Sequence, residues 1–161
     1  MTTWKTRLVC AVLVVAPVAW ADDPAQKPEA VYLTPKEMKW GDAPTTLPKG
    51  AKVVVLHGDP TKAGSFAMRL KAPGGYKIPP HWHANDEELT VIAGTLVLHM
   101  GDTMTADAHK LAAGAYHFLP AKMHHAAELK GETIVQIHGE GPFDINYLNP
   151  ADNPSPKSAR K

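Results

Sequence analysis

Cysteine is nearly absent. The 161-residue chain has one, Cys10, placed inside an apolar run near the start. If that run is removed, neither a thiol nor a disulfide remains, and an exported domain without cross-links must be held by its core. An excess of one charge is lacking too, with 17 basic against 16 acidic residues. That balance points away from nucleic acid and from a membrane surface as partners. Long apolar runs are missing: Leu8 to Val18, interrupted by Pro17, is too short to cross a bilayer. Helix signals are scarce, with only Pro35-Lys36-Glu37-Met38 resembling a turn of helix. No solenoid-type repeat is visible.

What is present begins with a processing signal. Lys5 and Arg7 precede the apolar run, and Ala19-Trp20-Ala21 offers small residues where a signal peptidase reads. Residues 1–21 are therefore expected to be cleaved, delivering a protein to the periplasm. The alternative is an apolar helix packed on the domain. Cleavage leaves 15 basic against 16 acidic residues. Residues 22–30 are polar with prolines and read as a flexible leader. One domain is expected over 31–150, and a solvated, disordered tail over 151–161, where Lys157, Arg160 and Lys161 follow Pro154 and Pro156.

Within the domain, β-branched and alternating runs recur between turn residues. Lys52 to His57 ends at Gly58-Asp59-Pro60, and Ser65 to Leu70 carries Phe66, Met68 and Leu70 on one face. Leu89–Ile92 and Thr95–Met100 flank Gly94 in the pattern of a tight hairpin. Thr103–Thr105, Tyr116–Leu119 and His124–Leu129 are further strand candidates. Thr133–His138, after the turn Lys130-Gly131-Glu132, and an edge strand over Asp144–Leu148 complete the set. Short strands at this spacing predict an all-β sandwich or barrel. Tyr116, Phe118 and Met100 are expected in its core.

The stretch from Gly75 to Gly94 organises the rest. Alternate side chains of a strand share a face, so His81 and His83 point the same way, and Trp82 between them points outward, into a neighbouring strand or a homodimer contact. With a carboxylate beyond them they form half of a metal site. A second stretch, Gly114 to His125, ends in two adjacent histidines, of which only one can join that interior.

Together the two stretches resemble the paired motifs of the cupin superfamily. The first motif is Gly, five residues, His-x-His, three or four residues, Glu, six residues, Gly. Gly75, His81, His83, Glu87 and Gly94 match it at each fixed position. In the second, Gly114, Pro120 and His125 match, while Lys122 and Leu129 stand where Gly and Asn are usual. The resemblance implies a single-domain jelly-roll barrel holding a metal through His81, His83, Glu87 and His125, with Glu87 able to double as a catalytic base. Four intervening residues instead of three would choose Glu88; the spacing to Gly94 favours Glu87. His124 is the expected outward neighbour of His125. His99, His117 and His138 lie in strand candidates and read first as hydrogen-bonded strand residues, with cavity lining as the alternative, and His57 and His109 lie near turns and are expected in solvent.

Imidazole and carboxylate ligands suit divalent transition metals, iron or manganese first, with zinc, nickel and copper as alternatives. The function expected is a metal-dependent oxidoreductase, dioxygenase-like, acting on a small oxygen-rich molecule. The competing expectation is a non-catalytic periplasmic cupin that binds a small ligand or the metal itself. The fold and its ligands serve both.

Overall fold

The computed structural model describes residues 29–105 and 107–155. The signal peptide expected over 1–21, nearly all of the leader, and the tail from residue 156 lie outside them. The chain divides into two units at Ala30/Val31, and every strand described belongs to the second.

Among the described residues there is no α-helix. The strands are β1 (Gly41–Asp42), β2 (Lys52–His57), β3 (Gly64–Ala72), β4 (Lys77–Trp82), β5 (Glu87–Met100), β6 (Ala108–Ala112), β7 (Tyr116–Leu119), β8 (His125–Gly141) and β9 (Asn146–Tyr147). A short 3-10 turn, Pro150–Asp152, comes after β9. Every pairing is antiparallel.

Two long strands organise the barrel. β5 and β8 pair from Glu88↔His138 to Met100↔His125. The C-terminal half of β8 also pairs with β3, and its N-terminal half with β4. The first half of β5 pairs with β7 and the second with β6. One sheet thus runs β1-β2-β3-β8-β5-β7 and the other β9-β4-β8-β5-β6, with β5 and β8 passing from one to the other. The result is the curled jelly roll that the motifs imply.

Both strands bend at the same place, which corrects two expectations. Gly94 is no hairpin, and Lys130-Gly131-Glu132 does not end a strand. The β5/β8 register shifts between Val91 and Ala93 and again between Ala93 and Thr95, beside Gly131. An inserted residue bends a strand and sharpens its twist. Gly94 adopts φ 78°, and a Cβ there would lie 2.5 Å from both the Glu132 carbonyl oxygen and Thr133 Oγ1. Glycine serves here for close approach as well as for φ. Thr133, fully buried, satisfies the corner: its Oγ1 accepts from the Thr95 N–H at 3.2 Å.

The remaining expectations have local outcomes. The strand expected at Thr103–Thr105 is a bend, and β6 begins at Ala108 with an exposed His109 in it. Residues 35–37 form only a turn, tied by the Thr34 N–H and hydroxyl donating to Glu37 Oε2. Tyr116 and Phe118 are not core: they are 54% and 49% exposed, because β7 turns His117 and Leu119 inward and alternation puts the aromatics outside. Met100 is half-buried. The core is aliphatic, built from Leu70, Leu89, Val91, Leu96, Leu129, Val135 and Ile137, with Phe66 at its edge against Phe143. Each such side chain contributes about 1.5–3 kcal/mol when fully buried.

Candidate metal centre

The first motif delivers its residues by alternation. His81 lies on β4 opposite His125 at the start of β8, and His83 lies just beyond the end of β4. Glu87 opens β5 opposite Leu119. The loop that carries His83 is fastened to the second motif's turn. Asp86 Oδ1 accepts from the Ala121 N–H at 2.7 Å, and the Lys122 N–H donates to the His83 carbonyl at 2.8 Å. Lys122 has φ 65°, which explains why glycine suits that position.

The four residues come together and are all buried. One ring nitrogen from each of His81, His83 and His125 lies within 4.8 Å of the other two. Glu87 reaches them: its Oε2 is 3.5 Å from His125 Nε2, and its Oε1 is 3.8 Å from His83 Nε2. Glu88, on the other side of the strand, is exposed.

Each of the three rings is held from behind. His81 Nδ1 is 2.7 Å from the Pro79 carbonyl, His125 Nδ1 is 3.0 Å from the Met123 carbonyl, and His83 Nδ1 bonds the Asp144 carbonyl. A carbonyl only accepts, so Nδ1 carries the proton and Nε2 presents a lone pair. His83 Nε2 is buried with no hydrogen-bond partner. Orphaned nitrogens of this kind are uncommon in folded proteins and call for an explanation. A tautomer fixed by a second-layer acceptor is how metal-binding histidines are usually oriented. On this test the residues fit a divalent transition metal.

The electrostatics agree. Burial, and after it the positive charge that His125 and His83 would carry, holds His81 down to about 3. Burial likewise lowers His125. Burial alone would push Glu87 up, but the His117 hydrogen bond and the neighbouring His83 and His125 outweigh it and hold the carboxyl below its usual value. Burial thus favours the neutral form of His81 and His125, beside a carboxyl held toward its ionised form.

Of the other histidines, only His117 joins the group, with Nε2 3.3 Å from Glu87 Oε2. His124 points away, 2.7 Å from Asp102 Oδ1. His99, outside the group, is buried with neither ring nitrogen partnered, and His138 Nε2 lies 2.8 Å from Gln136 Nε2. Trp82 is half-buried.

Sequence reasoning missed the loop after β8. Phe143 stacks on His83 with ring centroids 4.4 Å apart, and Asp144 supplies the carbonyl behind His83 while its carboxylate accepts from the Ala84 N–H. No periodicity marks such a loop. His117 had a signal: it is two residues before the buried Leu119 on the same strand.

Beside the cluster lies a cavity of about 50 Å³, lined by His81, Glu87, His117 and His125 and otherwise by aliphatic side chains such as Leu89, Leu98 and Ile137. A broader groove of about 600 Å³ contains His57, Glu88 and His138 but none of the four clustered residues.

This architecture and its two motifs are those of a cupin. The chain belongs to the family described as "Domain of unknown function (DUF4437)", whose model matches residues 11–146. No curated protein matches its sequence. Its structure is similar to the polyketide cyclase RemF from Streptomyces resistomycificus (TM-score 0.67, 14% identity, covering 78% of this chain and 90% of that one). It is also similar to a putative acetylacetone dioxygenase from Methylibium petroleiphilum (TM-score 0.62, 20% identity, 81% and 88% covered). A third likeness is to an RmlC-like cupin from Shewanella frigidimarina (TM-score 0.56, 16% identity, 70% and 91% covered). These likenesses concern the fold.

Proposed function

We propose that this protein binds one divalent transition metal, iron or manganese first, through His81, His83, His125 and Glu87, and uses it to oxidise a small oxygen-rich molecule. The observation that carries the reading is the set of three buried rings whose Nδ1 atoms sit on backbone carbonyls, with His83 Nε2 left without a partner. Bound there, such a metal supplies Lewis acidity and, for iron or manganese, redox chemistry with dioxygen. The chain's own contribution is positional. The backbone carbonyls fix the rings, Phe143 holds His83 flat, and the ionised Glu87 can accept a proton from an acidic substrate hydroxyl or C–H. The cyclase and the putative dioxygenase among its structural neighbours lend the fold's precedent for enzyme chemistry.

The small cavity favours a second reading. At about 50 Å³ it is far below the roughly 300 Å³ or more of usual ligand pockets. A non-catalytic cupin that holds the metal, or a ligand of a few atoms, fits that space. In either case the basic start, the apolar run and the Ala19-Trp20-Ala21 site support export to the periplasm, which an intact mass beginning at Asp22 would bear out.

Elemental analysis of the purified protein tests the centre: close to one metal per chain is expected. No uptake of iron, manganese, zinc, nickel or copper on reconstitution would falsify it. Oxygen uptake stoichiometric with loss of a diol, phenol or dicarboxylate, abolished in His81→Ala, separates the enzyme from the binder.

A further inference from the structure

We propose that His117 is a positioning residue for Glu87, fixing the orientation of its carboxylate toward the centre. The inference rests on the reading that Glu87 and three histidines hold a metal.

The observation is an inversion. His81, His83 and His125 spend Nδ1 on a backbone carbonyl and leave Nε2 free. His117 does the reverse: Nε2 lies 3.3 Å from Glu87 Oε2, while Nδ1 is buried with no partner. Its side chain is 8% exposed, so water is not a ready substitute. Burial alone does not supply such a partner, since His99 is buried with neither ring nitrogen bonded, and an unmet buried polar atom costs about 1–3 kcal/mol. The bond to an ionised carboxylate is charge-assisted and offsets that cost. It also assigns the proton: an acceptor-only carboxylate requires Nε2–H, leaving Nδ1 bare.

The consequence is directional. Oε2, engaged by His117, also lies 3.5 Å from His125 Nε2, and Oε1 lies 3.8 Å from His83 Nε2, so the bond holds the carboxylate plane between two rings of the cluster. Rotation of the Glu87 carboxylate out of that orientation would break the His117 bond. The register supports this, since His117 pairs with Leu89, two residues along the same inward face from Glu87.

The test uses the mature protein loaded with cobalt(II), read by competition titration and by X-ray absorption, which counts imidazoles and carboxylate oxygens. His117→Leu is expected to weaken cobalt binding about 10- to 100-fold. Three imidazoles should remain. His117→Gln, whose amide N–H can replace Nε2–H, should restore most of the affinity. Four imidazoles in the wild type, falling to three in His117→Leu, would make His117 a ligand and overturn the proposal. Unchanged affinity in His117→Leu, or no rescue by glutamine, would overturn it as well. If the leucine variant does not fold, the wild-type imidazole count and the glutamine affinity decide. A wild type that binds no cobalt sinks the metal reading itself, a separate outcome.

Discussion

The inner and outer faces of β5, β7 and β8 carry similar residue types and give them opposite fates. Glu87 is buried among histidines, while Glu88 is exposed beside Phe118 on the neighbouring strand. His125 lies inside with its Nδ1 held by the Met123 carbonyl, whereas His124 lies outside against Asp102. His117 faces the centre, and Tyr116 and Phe118 flank it facing solvent. Residue chemistry alone does not separate these neighbours. Strand parity does, and parity depends on a register that one residue of slippage would exchange.

The largest effect should come from the corner that sets that register. In Gly94→Ala the new Cβ would meet Glu132 O and Thr133 Oγ1 at 2.5 Å and Thr133 Cα at 2.8 Å, at a φ alanine resists. Overpacking and backbone strain together cost about 3 kcal/mol or more. Gly114→Ala, also at positive φ but with nothing within 4 Å, should cost only about 1 kcal/mol. Denaturant melts of both variants check this. Equal losses would mean that close approach at Gly94 is unimportant.

Next comes the face comparison itself. His125→Ala should weaken metal binding about 100-fold or more, beyond the 10- to 100-fold typical of losing a supporting residue. His124→Ala should change it less than about threefold, because exposed pairs such as its contact with Asp102 contribute little. Glu87→Gln and Glu88→Gln should divide the same way. Titration with a competing chelator reads all four. A damaging Glu88→Gln would place the register one residue out.

How much of this was legible in the sequence depends on the same parity. The shared face of His81 and His83 could be read from alternation, while the choice of Glu87 over Glu88 and of His125 over His124 came with the resemblance to the cupin motifs. The all-β class was legible from short runs between turn residues. The corners were not: Gly94 and Gly131 look like hairpin turns, and only the partner strand's matching bend reveals one strand crossing between sheets. The aromatics of β7 misled because size suggested burial, while alternation with His117 and Leu119 required exposure. Asp144 and Phe143 act through a backbone carbonyl and a stacking face, which no residue pattern announces.

Acid should loosen the inner face selectively. His81 is held to about 3 against an ordinary 6.5, chiefly by burial. Between those values the unfolded chain binds the proton and the folded chain does not, so stability falls as pH falls through that window. Glu87, held below its ordinary value, adds stability above about 4.5 that is lost on further acidification, in the same direction. For the metal-free protein, His81 alone should account for about 2 kcal/mol lost between pH 7 and pH 5. His81→Phe should flatten the slope and His124→Gln should not. Parallel slopes in calorimetric melts of the three proteins would show that the buried imidazole is not the acid-sensitive group.

The smallest effect is expected at Phe118, and its smallness is informative. A phenylalanine in an aliphatic barrel costs about 3–5 kcal/mol when cut to alanine. Phe118 is 49% exposed and faces away from the core, opposite Glu88. Much of its ring is already in water, so Phe118→Ala should cost about 1 kcal/mol or less, with metal binding unchanged. Leu119→Ala, one residue on and 6% exposed, should cost about 2–5 kcal/mol. The ratio between these two neighbours measures the face assignment of β7 without using the metal at all. If Phe118 were the costlier loss, β7 would be inverted, His117 would point into solvent, and its bond to Glu87 could not form.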